Sequence, residues 1–178
     1  MSVEQVKVII TRQDGGVTVL SIILDDGHGL HKDLTTELIQ REVLRAEEEP
    51  IEWAVITDDD IPQDRTYRNA WKAERGTIVH DMDRARNIHL EKIRFSREGE
   101  LFQLDKEWMK HMGRGNKKEA DAIEAKRERL RNITDEIAPA VAAAIDIDEL
   151  KQTWPVDVLP PHPLMFSVDR TISMDIEG

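Results

Sequence analysis

Residues 6–24 read VKVIITRQDGGVTVLSIIL, and this stretch decides how the chain begins to fold. Two runs rich in β-branched residues, 6–12 and 17–24, flank a connection that contains Gly15 and Gly16. β-branched side chains favour extended backbone, and glycine readily takes the positive φ angles that tight turns require. The stretch therefore predicts an antiparallel β-hairpin.

The residues that follow predict the rest of a small α+β unit. Apolar residues recur at helical spacing over residues 33–48, which predicts one helix. The run of β-branched and aromatic residues at 52–57 predicts a third strand beside the hairpin, and residues 76–79 predict a short edge strand. We therefore expect a small α+β domain at residues 1–80.

Beyond residue 80 the pattern changes to that of long helices. Residues 83–112 contain no proline, and apolar residues recur at helical spacing at Leu101, Leu104, Trp108 and Met112. Residues 113–116 predict a break, with Asn116 as the N-cap of a second helix. That helix carries a 3-4 repeat made of Ala120, Ile123, Arg127, Leu130, Thr134, Ile137 and Val141. We therefore expect an antiparallel helical hairpin that packs like a coiled coil at residues 81–154.

Three residues interrupt this helical pattern. Gly99 and Arg127 fall in the apolar seam and predict a kink or a polar layer between the helices. Pro139 lacks a backbone N–H and clashes with the preceding turn, so it predicts a bend or break in the second helix. A last short helix is predicted at residues 148–153, before Trp154 and Pro155.

The C-terminal segment, residues 155–178, predicts an extended arm. It begins with a proline-rich run that fits neither a helix nor a central strand. The residues after that run, among them Phe166, keep an apolar character, whereas a disordered tail is usually more polar. We therefore expect an arm that docks on a neighbouring subunit.

The composition restricts the class of protein. The chain has 178 residues, no cysteine and a formal net charge of -11. The lack of cysteine excludes a disulfide scaffold and thiolate metal sites. The negative net charge opposes nucleic-acid binding, although residues 83–132 carry 14 Lys and Arg against 10 Asp and Glu. No apolar run has the ~20 residues of a membrane-spanning helix, so we expect no membrane and no nucleic-acid partner.

One dense segment lies between the two halves of the chain and reads Asp60-Ile61-Pro62-Gln63-Asp64-Arg65-Thr66-Tyr67-Arg68-Asn69-Ala70-Trp71. Asp64 suits the N-cap of a short helix that begins at Arg65, in which Tyr67 and Trp71 would share one face. The segment predicts a structural corner that packs both aromatic rings onto the domain. The candidate structural or interaction residues of the whole chain are Asp64, Arg65, Tyr67, Arg68, Asn69, Trp71, Trp108, Trp154 and Phe166.

Candidate catalytic and metal-binding groups are few. Asp25, Asp26, His28 and His31 offer potential metal ligands, but their glycine-containing loop is a poor support and no distant ligand accompanies them. Residues 58–60 lack the glycine and terminal glutamate of a calcium loop. The sequence has no nucleophile elbow and no phosphate loop. We therefore expect no enzyme, no cofactor and no metal, with a metal-dependent hydrolase built on this Asp/His loop as the alternative.

Several motifs resemble those of a family of small structural proteins of tailed bacteriophages and prophages. That family carries an IPxDRTxRNAW core, an xDMxxAR helix start and a late ELKxxWP. Here residues 61–71, 81–86 and 149–155 match these motifs in the same order. The resemblance covers residues 6–155, and residues 25–49 match least well.

The resemblance implies a non-enzymatic virion protein, a tail or head-tail accessory or attachment component that is made in the host cytoplasm. Its partners would be other phage structural proteins of the tail, fibre or head-tail adaptor, and it would be present in several copies. The alternative is a chaperone for tail or tail-fibre assembly that is absent from the mature particle. In either case, apolar anchors would be buried against partners or against the chain's own core at Tyr67, Trp71, Trp108, Trp154 and Phe166.

Overall fold

The computed structural model of the chain describes residues 4–24 and 32–161. The elements in order are β1 Glu4–Thr11, β2 Val17–Leu24, α1 Lys32–Ala46, β3 Glu52–Ile56, β4 Trp71–Glu74, β5 Thr77–His80, α2 Met82–Gly113, α3 Lys117–Ala143 and α4 Ile147–Gln152. The chain therefore has the predicted α+β class, with a small antiparallel sheet followed by long helices. It divides into two compact units, Met1–Ala85 and Arg86–Gly178.

β1 is the central strand of a three-stranded antiparallel sheet in the order β2-β1-β3. The predicted hairpin is confirmed, because β1 pairs with β2 along its whole length and Thr11 lies opposite Val17 beside the turn. Gly15 in that turn has a φ of 75°, which a glycine adopts without steric cost. The predicted third strand is also confirmed, since Ile9 of β1 lies opposite Ala54 of β3.

Both faces of this sheet are covered by other parts of the first unit. Helix α1 covers one face through a buried cluster made of Val8, Ile10, Ile22, Ile39 and Val43. The β4–β5 hairpin contributes to a second cluster on the other face, made of Ile9, Ile56, Ile61, Trp71 and Ile78. Successive strand residues point to opposite faces, so Ile9 joins one cluster while Val8 and Ile10 join the other.

The short helix predicted to begin at Arg65 is reduced to a single 3₁₀ turn at Arg68–Ala70. The Asp64 carboxylate accepts a hydrogen bond from the Thr66 N–H at 2.9 Å, so this residue caps a local turn instead of a helix. Trp71 then begins β4, which pairs with β5 in a separate two-stranded sheet. The edge strand predicted at residues 76–79 thus pairs with β4, of which only the first residue, Trp71, was assigned to the helix. Trp71 nevertheless becomes buried, as predicted, through strand alternation and not through a helical face.

The predicted helical hairpin is confirmed in the second unit. The connection between α2 and α3 includes Gly115, which has a φ of 74°. Every position of the predicted 3-4 repeat on α3 is buried or half-buried. Asn116 is the N-cap residue of α3, as predicted, although its side chain makes no capping hydrogen bond. Its ψ of 71° differs from the extended conformation from which an N-cap side chain reaches the first turn.

The second helix also continues through Pro139 and ends at Ala143, so the predicted break is wrong. Burial of Val141 and Ala144 holds the last turn of α3 against its own unit. The last predicted helix is confirmed as α4, whose first turn is capped by the Asp146 carboxylate at 2.8 Å from the Glu149 nitrogen. No helix within residues 4–24 and 32–161 is long and apolar enough to cross a membrane.

The beginning of the predicted arm is a turn and not an extended segment. The Leu159 N–H donates to the Pro155 carbonyl at 2.8 Å, and Leu159 is only 2% exposed. The Trp154 indole N–H donates to the Pro160 carbonyl at 3.1 Å, which holds the turn against the ring. Burial of Leu159 accounts for the difference, because an extended chain would leave this side chain in water. The rest of the arm, residues 162–178, lies outside the described residues.

Candidate interaction surface

The helical hairpin packs through a seam that includes charged side chains. Arg127 forms the predicted polar layer, with its guanidinium 2.7 Å from the Asp105 carboxylate and its centre 5.4 Å from the centre of the Trp108 ring. Farther along the seam, the Arg97 guanidinium reaches the Thr134 hydroxyl at 3.4 Å. Such polar layers favour one register of two helices over others, since a shifted register leaves the charges without partners.

A groove beside the α2–α3 connection exposes part of this seam, and we call it the tip groove. Its volume is about 310 Å³, and it is lined by Trp108, Met112, Gly115, Lys117, Asp121 and Glu124. The Arg131 guanidinium donates to the Glu124 carboxylate at 2.9 Å and, together with Arg127, holds the pKa of that carboxyl below its ordinary value. The groove therefore joins an indole and a thioether to a rim of charged residue types, Lys117, Asp121 and Glu124.

Helix α2 carries a second set of apolar side chains on the face turned away from α3. Phe95 is 78% exposed, Phe102 59% and Met109 60%. These residues follow each other at intervals of seven, so successive side chains are offset by only about 20° around the helix. By the same geometry, the buried Ile93 and the half-buried Leu104 lie on roughly the opposite face. We call Phe95, Phe102 and Met109 the α2 stripe.

Gly99 lies within the α2 stripe, between Phe95 and Phe102. A Cβ atom placed on Gly99 would meet nothing within 4 Å, so no contact with residues 4–24 or 32–161 requires a glycine here. Glycine in a helix interior lowers stability by roughly 0.5–1 kcal/mol relative to alanine. The residue therefore weakens the helix slightly and leaves a depression between two exposed phenyl rings.

The two edges of the α2 stripe carry opposite charges. By helical geometry, Glu91 and Glu98 lie along one edge, whereas Lys92 and Lys106 lie along the other. The Lys106 ammonium lies 4.0 Å from the centre of the Phe102 ring, in cation–π contact with it. An apolar strip with an acidic side and a basic side is therefore exposed along α2.

The predicted site residues of segment 60–71 do not form one site. Tyr67 is almost fully buried, and burial raises the pKa of its phenol, as does the nearby Asp64 carboxylate. Arg65 is exposed. Arg68 and Asn69 are also exposed and line a small polar groove of about 160 Å³. The buried aromatic residues thus stabilise the first unit, while the polar residues of the motif face solvent.

The other predicted anchors also differ from one another in how deeply they are buried. Trp154 is buried in the core of the second unit, whereas Trp108 is half-buried in the tip groove. Phe166 lies outside the described residues. The sequence analysis missed Phe95 and Phe102 as exposed aromatic residues, although their spacing of seven is visible in the sequence.

The described part of the chain has no site suited to a metal ion. Within residues 4–24 and 32–161, no group of three or more His, Asp or Glu side chains converges. The Asp/His loop at residues 25–31 lies outside these ranges. The arrangement that stands out chemically is the exposed apolar surface of α2, which is suited to binding another protein.

Comparisons of this chain with protein-family models, with curated proteins and with solved structures give no match.

Proposed function

We propose that the chain is a non-enzymatic structural component of a tailed-bacteriophage particle, made in the host cytoplasm and incorporated as a tail or head-tail accessory or attachment protein. It acts by binding other phage structural proteins of the tail, fibre or head-tail adaptor. The observation that carries the proposal is the exposed apolar surface of the second unit, formed by the tip groove, which would bind another phage protein, and by the α2 stripe, which would join copies of the chain within the particle. The chain shares several motifs, in the same order, with small structural proteins of tailed phages. This resemblance supports a tailed-phage particle as the assembly to which the chain belongs.

The chemistry of this surface supports binding to protein. Exposed apolar patches on monomers are rarely large, and extended ones usually mark interfaces. Aromatic and methionine side chains are enriched at such interfaces, and here Phe95, Phe102 and Met109 continue towards Trp108 and Met112. A virion component needs a preformed surface of this kind, because assembly joins rigid subunits through complementary contacts.

Mass spectrometry of purified phage particles tests the proposal. We expect the chain in washed particles at a constant ratio to known tail proteins. The double variant Phe95→Ser/Phe102→Ser should be incorporated less. The matched control Ile145→Ser replaces a side chain that is 74% exposed elsewhere in the same unit, and it should be incorporated normally.

Absence of the wild-type chain from washed particles would exclude a virion role. If the chain then co-purified with a tail or tail-fibre protein from infected-cell lysate, the function would be that of an assembly chaperone. If the double variant were incorporated normally, the α2 stripe would not be a surface that incorporation into the particle requires.

A further inference from the structure

We propose that a second copy of this chain covers the α2 stripe, so that two α2 helices pack in parallel about a two-fold axis. The proposal rests on α2 alone and does not depend on the proposed virion role. It names the partner that covers the stripe, a second copy of the chain, and the relative orientation of the two α2 helices. Both can be tested separately from any phage experiment.

The spacing of the apolar residues fits a helix as the partner. Ile88, which is half-buried, precedes Phe95, Phe102 and Met109 at the same interval of seven. An apolar repeat of seven keeps one face of a helix turned towards a second helix along its whole length. From Phe95 to Met109 the stripe is about 21 Å long. A second α2 supplies the same repeat at the same spacing.

The charged edges favour the parallel orientation. When a two-fold axis runs along the helices, the acidic edge of one copy lies beside the basic edge of the other. Glu91 would then lie at nearly the same height as Lys92 of the second copy. In an antiparallel pair, each acidic edge would face the other acidic edge, and Glu98 near the axis would meet its own copy. Like charges that face each other across an interface disfavour that arrangement.

Gly99 permits the two helices to approach closely. Its open surroundings leave room for atoms of a second helix between the rings of Phe95 and Phe102. Small residues at helix contacts bring backbones nearer to each other than larger side chains allow. The role of Gly99 in such a contact would account for a helix-interior glycine that no contact with the described part of the chain requires.

The size of the surface predicts a weak dimer. The exposed parts of the three stripe residues amount to an area on the order of 400 Å² per copy, compared with about 800 Å² in a standard interface. We therefore expect dimerisation to depend strongly on concentration in the isolated protein. In an assembly that holds many copies close together, the same contact would form more readily.

Cysteine cross-linking tests the orientation directly, because the chain contains no cysteine. Phe95→Cys and Met109→Cys are made separately in the full chain, so that each variant keeps two of the three stripe residues. A parallel two-fold axis places each new thiol near its own copy, so both variants should form disulfide-linked dimers under mild oxidation. Ala122→Cys, on the exposed face of α3, is the control and should remain monomeric.

Cross-linking at only one of the two stripe positions would overturn the parallel arrangement, because an antiparallel pair brings like residues together only near its axis. A lack of cross-linking at both positions would overturn the dimer itself. Efficient cross-linking of Ala122→Cys would show that random collisions account for the dimers, which also overturns the proposal.

Sedimentation of the full chain over a range of concentrations tests whether a second copy binds the α2 stripe. It requires no added cysteine. We expect the wild type to form dimers as concentration rises and Phe95→Ser/Phe102→Ser to dimerise at least about tenfold more weakly. Ile145→Ser should behave as the wild type, and circular dichroism should give equal helix content for all three proteins. A wild type that stays monomeric overturns the proposal and leaves the stripe to a different protein. Unchanged dimerisation of the double variant would also overturn it.

Discussion

Each compact unit buries one tryptophan beside one histidine, and the first of these pairs joins two strands. In the first unit the Trp71 indole N–H donates to Nε2 of His80 at 3.0 Å, and the rings meet edge to face. An indole nitrogen only donates, so Nε2 of His80 acts as the acceptor and carries no proton. The two residues also lie opposite each other in the β4–β5 ladder, so the pair holds this hairpin together.

In the second unit the corresponding nitrogen has the opposite role. Nε2 of His89 lies 2.9 Å from the Thr153 hydroxyl, which itself donates to the Leu150 carbonyl at 2.8 Å. A hydroxyl has one hydrogen, so Nε2 of His89 is the donor. The Trp154 ring meets His89 edge to face, while its indole N–H binds the Pro160 carbonyl.

The two pairs show that the residue types Trp and His do not by themselves determine whether the histidine donates or accepts the hydrogen bond. His80 accepts because an indole N–H is the available partner, whereas His89 donates because a helix carbonyl has already taken the hydroxyl hydrogen. Both histidines serve the core of their unit. The sequence around His89, with Ile88 and Leu90 beside it and charged residues two and three positions away, gives no sign of this role.

The largest expected effect comes from removing either indole. Trp71→Ala and Trp154→Ala should each lower the free energy of unfolding by about 3–5 kcal/mol, because a buried aromatic ring and a hydrogen bond are lost. Phe102→Ala, on the exposed stripe, should change it by no more than about 0.5 kcal/mol. Urea denaturation in dilute solution, followed by circular dichroism, measures all three. If Trp154→Ala were as mild as Phe102→Ala, the second pair would not be part of a core.

Two truncated chains test whether the turn at residues 155–160 supports the His89–Trp154 pair. A chain that ends at Pro155 loses Leu159 and the carbonyl that accepts from Trp154, so we expect a loss of about 2–5 kcal/mol, as for other deletions of buried leucine. A chain that ends at Pro161 keeps both groups and should melt at the temperature of the full chain. Equal melting temperatures for the two truncated chains would contradict the packing of this turn.

Tyr67 provides a signal that belongs to the first unit alone, because it is the single tyrosine of the chain. Burial, and then the Asp64 carboxylate, raise the pKa of its phenol above the ordinary value of 10.0. The folded state thus favours the neutral phenol, so this contribution to stability is complete below pH 10.0 and declines as the pH rises further.

Spectrophotometric titration, with circular dichroism in parallel, measures this effect. Phenolate absorbance should appear well above the ordinary pKa or together with unfolding of the first unit. Tyr67→Phe should give no phenolate signal and should lose less stability at high pH. Ionisation at the ordinary pKa in a chain that stays folded would contradict the burial of this ring.

The smallest expected effect concerns the polar layer of the hairpin. Arg127→Met replaces a side chain that is 17% exposed by an apolar one of similar length, so stability should change by no more than about 1 kcal/mol. Asp105→Ala leaves the arginine without this partner and should destabilise by about 1 kcal/mol, a modest effect because Asp105 is half-exposed. Chemical denaturation of both variants tests the order. If Arg127→Met were more destabilising than Asp105→Ala, the polar layer would contribute mainly to stability and not to fixing the register of the two helices.

The sequence predicted the elements whose pattern is local. The hairpin of β1 and β2 follows from β-branched runs around Gly15 and Gly16, and the buried face of α3 follows from its 3-4 repeat. The helix expected from Arg65 onwards is reduced to the 3₁₀ turn Arg68–Ala70 because two other contacts prevail there. One is the short bond of the Asp64 carboxylate to Thr66, and the other is the pairing of β4 with β5, which only the folded chain reveals.

The interaction surface was predicted less well than the fold. An aromatic residue in a sequence does not show whether it faces a core or solvent, so Trp71, Trp154 and Trp108 were all treated as anchors. Burial of the first two required neighbours distant in sequence, Ile9 for Trp71 and His89 for Trp154. The spacing of seven between Phe95 and Phe102 is visible in the sequence, but it marks a second apolar face on a helix whose seam already accounts for Leu101, Leu104 and Trp108.

The central position of β1 has a consequence for synthesis on the ribosome. One edge of β1 can pair with β2 as soon as the hairpin has emerged, but the other edge waits for β3. β3 begins about 30 residues after the end of β2, a delay of roughly 1.5–6 s at ordinary rates of translation. During that time the nascent chain presents an open strand edge, a state prone to pairing with other chains. A cell that makes this protein quickly would therefore gain from slow translation after β3 and not before it.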